Sequence, residues 1–274
     1  MTLQLEELDN MTESKLSSVS FDLDGKVAIV TGSGTGIGRA IAESYASAGA
    51  HVILAARNEN NLIEVKESIL KSGGYADYLV TDITKIDQIE KLASLTRKVS
   101  TEKDSDIILV NNAGFGFTKP AVEVTEDDFD KITSTHLKGT FFCCQKIAEI
   151  MLERGYGKII NMGSTWGEAT DAKKAPYCMA KAGIAHLTRA LSTEWAPHGI
   201  RVNTLAPTAT LTEFTSQTMK NNPDRAKGIV SRIKLGRFAV PSDHIGAAIF
   251  LASTASDFVT GHTLYVDGGL VAAG

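Results

Sequence analysis

Thr31-Gly32-Ser33-Gly34-Thr35-Gly36-Ile37-Gly38 places four glycines at alternate positions, directly behind the β-branched run Val27–Thr31 and ahead of a helical pattern over Arg39–Ala48. Strand, glycine-rich turn and helix in that order form the opening of a dinucleotide-binding βαβ unit. Glycine lets the backbone turn tightly and bring its amides against a pyrophosphate, whose charge the positive end of the helix stabilises. The stretch lacks the GxxxxGK[ST] pattern of a P-loop. Taken alone, the same turn also suits a tight βα connection that holds no ligand.

Further runs follow at Val52–Ala55, Tyr78–Thr81, Ile107–Val110, Lys158–Met162, Ile200–Leu205 and Thr263–Val266, separated by longer helical patterns. Most are continuously apolar rather than alternating, as strands covered on both faces are. They predict an α/β fold: a single-domain Rossmann-type doubly wound parallel sheet of about seven strands with helices on both faces. The first 24 residues are polar and acidic and read as a mobile arm ahead of a domain over 25–274. The segment 208–241 is too long for an ordinary connection and reads as a substrate-side lid, either helical or a mobile loop.

Among 274 residues, 43% are apolar, and 28 basic against 32 acidic side chains give a net charge of −4, with no basic footprint for nucleic acid. No apolar run reaches the ~20 residues of a membrane span. The three cysteines, Cys143, Cys144 and Cys178, fit neither a disulfide framework nor a zinc site, so no metal is expected. No signal-peptide pattern opens the chain, and a reducing cytoplasm is the expected compartment.

Tyr177 and Lys181 are four apart in a helical pattern whose apolar face is Ala180, Ile184, Leu187, Leu191 and Trp195. A free phenol titrates near ~10, too high for proton transfer at neutral pH, and an adjacent ammonium would lower it. Ser164, at the end of the fifth run, would hydrogen-bond a substrate carbonyl, or simply cap a turn. Behind the second run stands Arg57 rather than the carboxylate that takes the ribose hydroxyls of NAD. It would pair with a 2′-phosphate, so NADP(H) is the expected cofactor and NAD(H) the alternative.

With Asn111-Asn112-Ala113-Gly114 behind the fourth run and Asp267-Gly268-Gly269 near the end, these motifs resemble the short-chain dehydrogenase/reductase family from about Leu23 to Gly269. The resemblance implies Tyr177 as general acid/base, Lys181 on the nicotinamide ribose and Ser164 on the carbonyl. It implies a cofactor cleft of Gly32, Ser33, Thr35, Gly36, Ile37, Gly38, Arg57, Asp82, Ile83, Asn112, Ala113 and Gly114. Pro207, Thr210 and Thr212 would cover the nicotinamide. His136 stands where the family has a catalytic asparagine, so it serves a proton relay or is a core histidine. Thr208 stands where the family commonly has glycine, which bears on the backbone path there, since threonine disfavours positive φ.

The implied activity interconverts a secondary alcohol and a ketone. Trp166 and Glu168 behind Ser164, and Phe214 in the lid, are candidate substrate residues. The polar character of both segments favours a sugar, sugar acid or polyol, although Lys173 and Lys174 are at least as readily solvated loop residues. The alternatives are a 3-oxoacyl carrier-protein reductase and, from a different class, a non-catalytic NADP(H)-binding sensor or scaffold. The expected partners are a small-molecule substrate and, by resemblance, further copies of the chain in a dimer or tetramer.

Overall fold

The computed structural model of the chain describes residues 19–273. β1 (Lys26–Thr31) leads into α1 (Gly36–Ser47), and the alternation continues through β2 (His51–Ala56), α2 (Glu59–Lys71), β3 (Tyr75–Val80), α3 (Ile86–Glu102) and β4 (Asp106–Asn111). The second half holds α4 (Glu126–Thr133), α5 (Thr140–Arg154), β5 (Gly157–Met162), α6 (Ala175–Trp195) and β6 (Ile200–Pro207). It closes with α7 (Glu213–Asn221), α8 (Pro223–Arg232), α9 (Ile245–Ala252) and β7 (Thr263–Val266). The sheet order is β3-β2-β1-β4-β5-β6-β7 with every neighbouring pair parallel, the expected doubly wound arrangement. The order reverses between β1 and β4, and such a reversal opens a crevice beyond the carboxyl ends of the strands.

Side chains alternate between the two faces of each strand, so an apolar run feeds two cores. Val27, Ile29, Ile107 and Leu109 pack with Ile89 and Leu92 of α3 and Ile147 and Met151 of α5. Ala28, Val30, Ile108 and Val110 pack on the other face with Ile41 and Tyr45 of α1 and Ala248 and Leu251 of α9.

Two boundaries depart from the sequence reading, and one open alternative is settled. β3 begins at Tyr75 rather than Tyr78, because an edge strand need not be apolar: its Asp77 pairs with His51 Nε2 at 2.9 Å. Residues 1–18 of the expected arm lie outside the described residues. Leu23, however, is fully buried and donates its N–H to Ala48 O at 2.8 Å, so the chain joins the fold before residue 25. The segment 208–241 resolves its two alternatives in favour of helix, with α7 capped by Thr212 and α8 opened by Pro223. Among the described residues no helix is long and apolar enough to cross a membrane.

Candidate active site

The crevice is built first from the glycine turn. Gly32 and Gly36 take the left-handed region, with φ of +66° and +58°. A Cβ at Gly32 would come within 2.8 Å of Ala113 Cα, and one at Gly38 within 2.3 Å of Gly32 O. The end of β4 braces this turn: Asn112 Nδ2 donates to Thr31 O at 2.9 Å and Gly32 O at 3.1 Å, while Thr31 Oγ1 accepts from Ala113 N at 3.1 Å. Helix α1 starts with no side-chain cap from Thr35, which is exposed, and no acid in its first turn. The amides of Gly36, Ile37 and Gly38 therefore carry the unsatisfied donors and positive partial charge of a helix start, a donor set that fits a pyrophosphate.

Around the turn, Arg57 is exposed directly behind β2. Asp82 Oδ1 accepts from Thr84 N at 2.9 Å and Thr84 Oγ1 at 2.8 Å. Burial works against ionisation of Asp82, but these bonds and the Arg57 charge hold its carboxyl below the usual range. Two expected cofactor residues are placed differently. The Ser33 hydroxyl is fully buried and accepts from Ala55 N at 3.0 Å, supporting the turn from below. Ile83 is buried, with both its side chain and its carbonyl against Gly139. On the far side, buried Pro207 ends β6, and the Thr210 hydroxyl donates to Thr208 O at 2.9 Å and lies 2.8 Å from His244 Nε2. The Thr212 methyl would lie 3.2 Å from a Cβ at Gly36, so this loop reaches across to the glycine turn.

The proton-handling groups stand where β5 ends. Tyr177 and Lys181 lie one turn apart on α6, whose start carries Pro176. Lys181 Nζ donates to Met162 O at 2.6 Å and sits 5.7 Å from the Tyr177 ring centre. Burial pushes the Lys181 ammonium down to about 8. Burial likewise pushes the Tyr177 phenol up to about 12, against the opposing influence of nearby Ser164, whose hydroxyl caps its own turn by accepting from Trp166 N at 3.1 Å. In the protein alone, burial thus outweighs Ser164, Lys181 does not bring the phenol down, and the phenol is protonated, the form that donates to a ketone oxygen. Beneath the site, Asn111 Nδ2 donates to Asn161 Oδ1 at 2.9 Å, and Asn161 Nδ2 donates to Thr188 Oγ1 of α6 at 3.0 Å. These bonds fix α6 against β4 and β5, and with it Tyr177 against Ser164.

His136 lies in a π-helical stretch, Ser134–Gly139, between α4 and α5. Its Nε2 is 2.7 Å from Phe115 O, and its ring meets that of Tyr177 edge-on with centres 5.5 Å apart. Gly114 makes room for it, since a Cβ there would come within 2.5 Å of His136 Cε1. Burial, then the charge of Lys181, push the imidazole down to about 3. The histidine is satisfied through Phe115 and shapes the wall beside Tyr177. Among the described residues it makes no hydrogen bond to Tyr177 or Lys181. Thr208 is not among the described non-glycine residues with positive φ, which are Asp104 and Lys173, so threonine is accommodated there. Its buried hydroxyl, beside the expected nicotinamide site, has no partner among the described residues.

His136 and His244, pushed by burial to about 3 and about 4, make acid stability a test of this packing. The unfolded chain takes protons near ~6.5 that the folded chain refuses. Their stabilisation is therefore complete above ~6.5 and lost as pH falls toward those lower values, roughly 3 kcal/mol each by pH ~4.5. His136→Asn is expected to remove its share of the difference between urea melts at the two ends of that window.

The candidate substrate residues separate. Trp166 is buried under α8, where Ile229 and Ile233 pack on it and the Arg232 guanidinium lies 4.8 Å from its ring centre. Glu168 lies near Tyr265 of β7, where with burial it helps hold that phenol above its ordinary range. Phe214 falls in α7, and its side chain lies outside the described residues. Sequence reading missed Gly116, where a Cβ would lie 3.3 Å from the Tyr177 ring, and His244. It also missed Arg225 and Arg232, although Arg225-xxx-Ile229-xx-Arg232 is a single helix stripe in the sequence.

A family model described as Enoyl-(Acyl carrier protein) reductase matches residues 32–271. The chain is 37% identical over 254 residues to the 2-dehydro-3-deoxy-D-gluconate 5-dehydrogenase of Dickeya dadantii, covering 92% of this chain and 98% of that one. It is 36% identical over 261 residues to the D-threitol dehydrogenase of Mycolicibacterium smegmatis, covering 94% and 98%. A solved gluconate 5-dehydrogenase from Burkholderia cenocepacia, in complex with NADP and tartrate, superposes with a TM-score of 0.85 at 36% identity, over 93% of this chain and 98% of that one. Motifs, sheet order and relatives agree, and the chain belongs to the short-chain dehydrogenase/reductase family.

Proposed function

We propose that the protein is an NADP(H)-dependent oxidoreductase that interconverts a secondary alcohol and a ketone on a sugar acid or polyol. The observation that carries this reading is the placement of Tyr177, Ser164 and Lys181 near one another at the carboxyl end of β5, together with a glycine turn whose following helix start has no side-chain cap. Relatives named for gluconate and threitol support the substrate class. Gly36, Ile37 and Gly38 would bind the pyrophosphate, Arg57 the 2′-phosphate, and Thr210 and Thr212 would border the nicotinamide. The nicotinamide, when bound, supplies or accepts the hydride.

Ser164 orients the carbonyl and Tyr177 donates its phenolic proton to the oxygen, with Lys181 stabilising the phenolate left behind. In the oxidative direction the phenolate takes the proton back. The helical segment over 208–241 would act as the lid. A homo-oligomer in the cytoplasm is the proposed working form, supported by exposed Phe129, Phe141 and Met179 on α4, α5 and α6.

A panel of polyols, sugar acids and acyl thioesters, followed by NADPH absorbance, tests the reading. Turnover of hydroxylated compounds is expected. Reduction of acyl thioesters alone would make the protein a 3-oxoacyl reductase, and cofactor binding without turnover would make it a sensor. Arg57→Ala is expected to weaken NADPH by about 10–100-fold, the range of a lost charge-assisted bond or two, and to leave NADH within about twofold. Equal losses for both cofactors would remove Arg57 from the 2′-phosphate.

A further inference from the structure

We propose that Lys174 selects substrates that carry a carboxylate, its ammonium binding that group while Tyr177 and Ser164 address the carbinol of the same molecule. The inference rests on the reading above that the substrate is a small hydroxylated compound, and it narrows that class to the acids.

Lys174 immediately precedes α6, and its Nζ lies 5.6 Å from the centre of the Tyr177 ring. The backbone is bent to put it there. Lys173 takes a left-handed φ of +65°, rare for a side chain of its size, and its carbonyl is held by Lys119 N at 2.8 Å. Lys119 is in turn tied to Asp128 at 2.5 Å. A strained residue pinned from a second loop is a costly way to place a merely solvated lysine.

The charges around it are unbalanced. Asp171 is the acid facing Lys174, and it is shared with Arg225 of α8, 3.8 Å away. Arg232, one helix stripe along, is spent on the Trp166 ring and on Thr170 O. Glu168 lies near Tyr265 of β7, and Cys178 borders the same wall. Lys174 itself makes no ion pair among the described residues, only the contact with the aromatic face. Burial, with Arg225 adding to it, holds its ammonium below the ordinary lysine range. A half-desolvated cation without a carboxylate of its own gains a charge-assisted hydrogen bond when a substrate brings one. A polyol of the same length offers neutral hydroxyls, which repay much less of that desolvation.

The test compares matched pairs, D-gluconate with D-glucitol and threonate with threitol, on NADP-loaded wild type, Lys174→Met and Lys174→Arg. Both kcat/KM and equilibrium affinity by titration calorimetry are read, with thermal melts to confirm folding. Wild type is expected to prefer the acid of at least one pair. In Lys174→Met the acid-to-polyol ratio should fall by about 10–100-fold, mostly through KM, and Lys174→Arg should keep most of it. A wild type indifferent to the carboxylate, or an unchanged ratio in Lys174→Met, overturns the proposal. If wild type oxidises none of the four compounds, the functional reading above has failed. The titrations then decide Lys174 separately: discrimination present in wild type and lost in Lys174→Met upholds it, and no discrimination overturns it.

Discussion

Tyr177→Phe is expected to lower kcat by about 10²–10⁴-fold, the share of general acid catalysis, while NADPH binds within about twofold of wild type. The substitution removes one oxygen and keeps the ring. That ring holds Gly116 and His136 in place and lies against both lysines, so the wall of the site survives. What disappears is the hydroxyl near Ser164 that carries the proton. Fluorescence titration of NADPH measures the retained binding, and single-turnover reduction measures the lost chemistry. Wild-type turnover by the phenylalanine variant would dismiss Tyr177 as the acid and with it the mechanism proposed for the site.

Gly38→Ala is expected to be the other severe change, for the opposite reason: it adds atoms where there is no room. Alanine within a helix is ordinarily favoured over glycine by about 1 kcal/mol. Here its Cβ would come within 2.3 Å of both Gly32 O and Asn112 Nδ2. The carbonyl is backbone, and Asn112 already donates to it and to Thr31 O, so neither neighbour moves without opening the turn. Overpacking of this kind costs about 1–3 kcal/mol, or a fall of about 3–10 °C in Tm for a chain of this size. The larger effect is on NADP(H) affinity, expected to fall more than about 100-fold because the amides of Gly36 and Ile37 are carried by the same turn. Gly228→Ala provides the control, since a Cβ there meets nothing within 4 Å. Equal behaviour of the two variants would show that the turn tolerates a side chain.

The difference between these glycines marks how far the sequence can be read. The turn at Gly32–Gly38 is legible because a strand precedes it and a helix follows, and both are local patterns. The parallel sheet is legible for a similar reason, since strands buried on both faces carry unbroken apolar runs. The first half of β3 lacks that run because an edge strand needs only one partner, and Asp77 is at home there. Ser164, Tyr177 and Lys181 are marked by spacing and by resemblance to a family. Lys174 and Arg225 are not, because their meaning comes from proximity between segments some fifty residues apart, joined through Asp171. Ser33 shows the converse: its place in the glycine turn suggests a cleft residue, and only the packed structure shows its hydroxyl spent on Ala55 N.

The close approach of Gly114 to His136 also limits how this protein can vary. Gly114 has an ordinary negative φ, so alanine suits its backbone, and the obstacle is solely the imidazole edge 2.5 Å from where the methyl would stand. The shorter side chain of asparagine at 136 would lift that obstacle. The two substitutions are therefore ordered: Gly114→Ala is damaging in the present background and mild once His136→Asn has come first. A mutational path that tries them in the reverse sequence must cross a destabilised intermediate, which makes Gly114 the entrenched member of the pair for as long as the histidine stands.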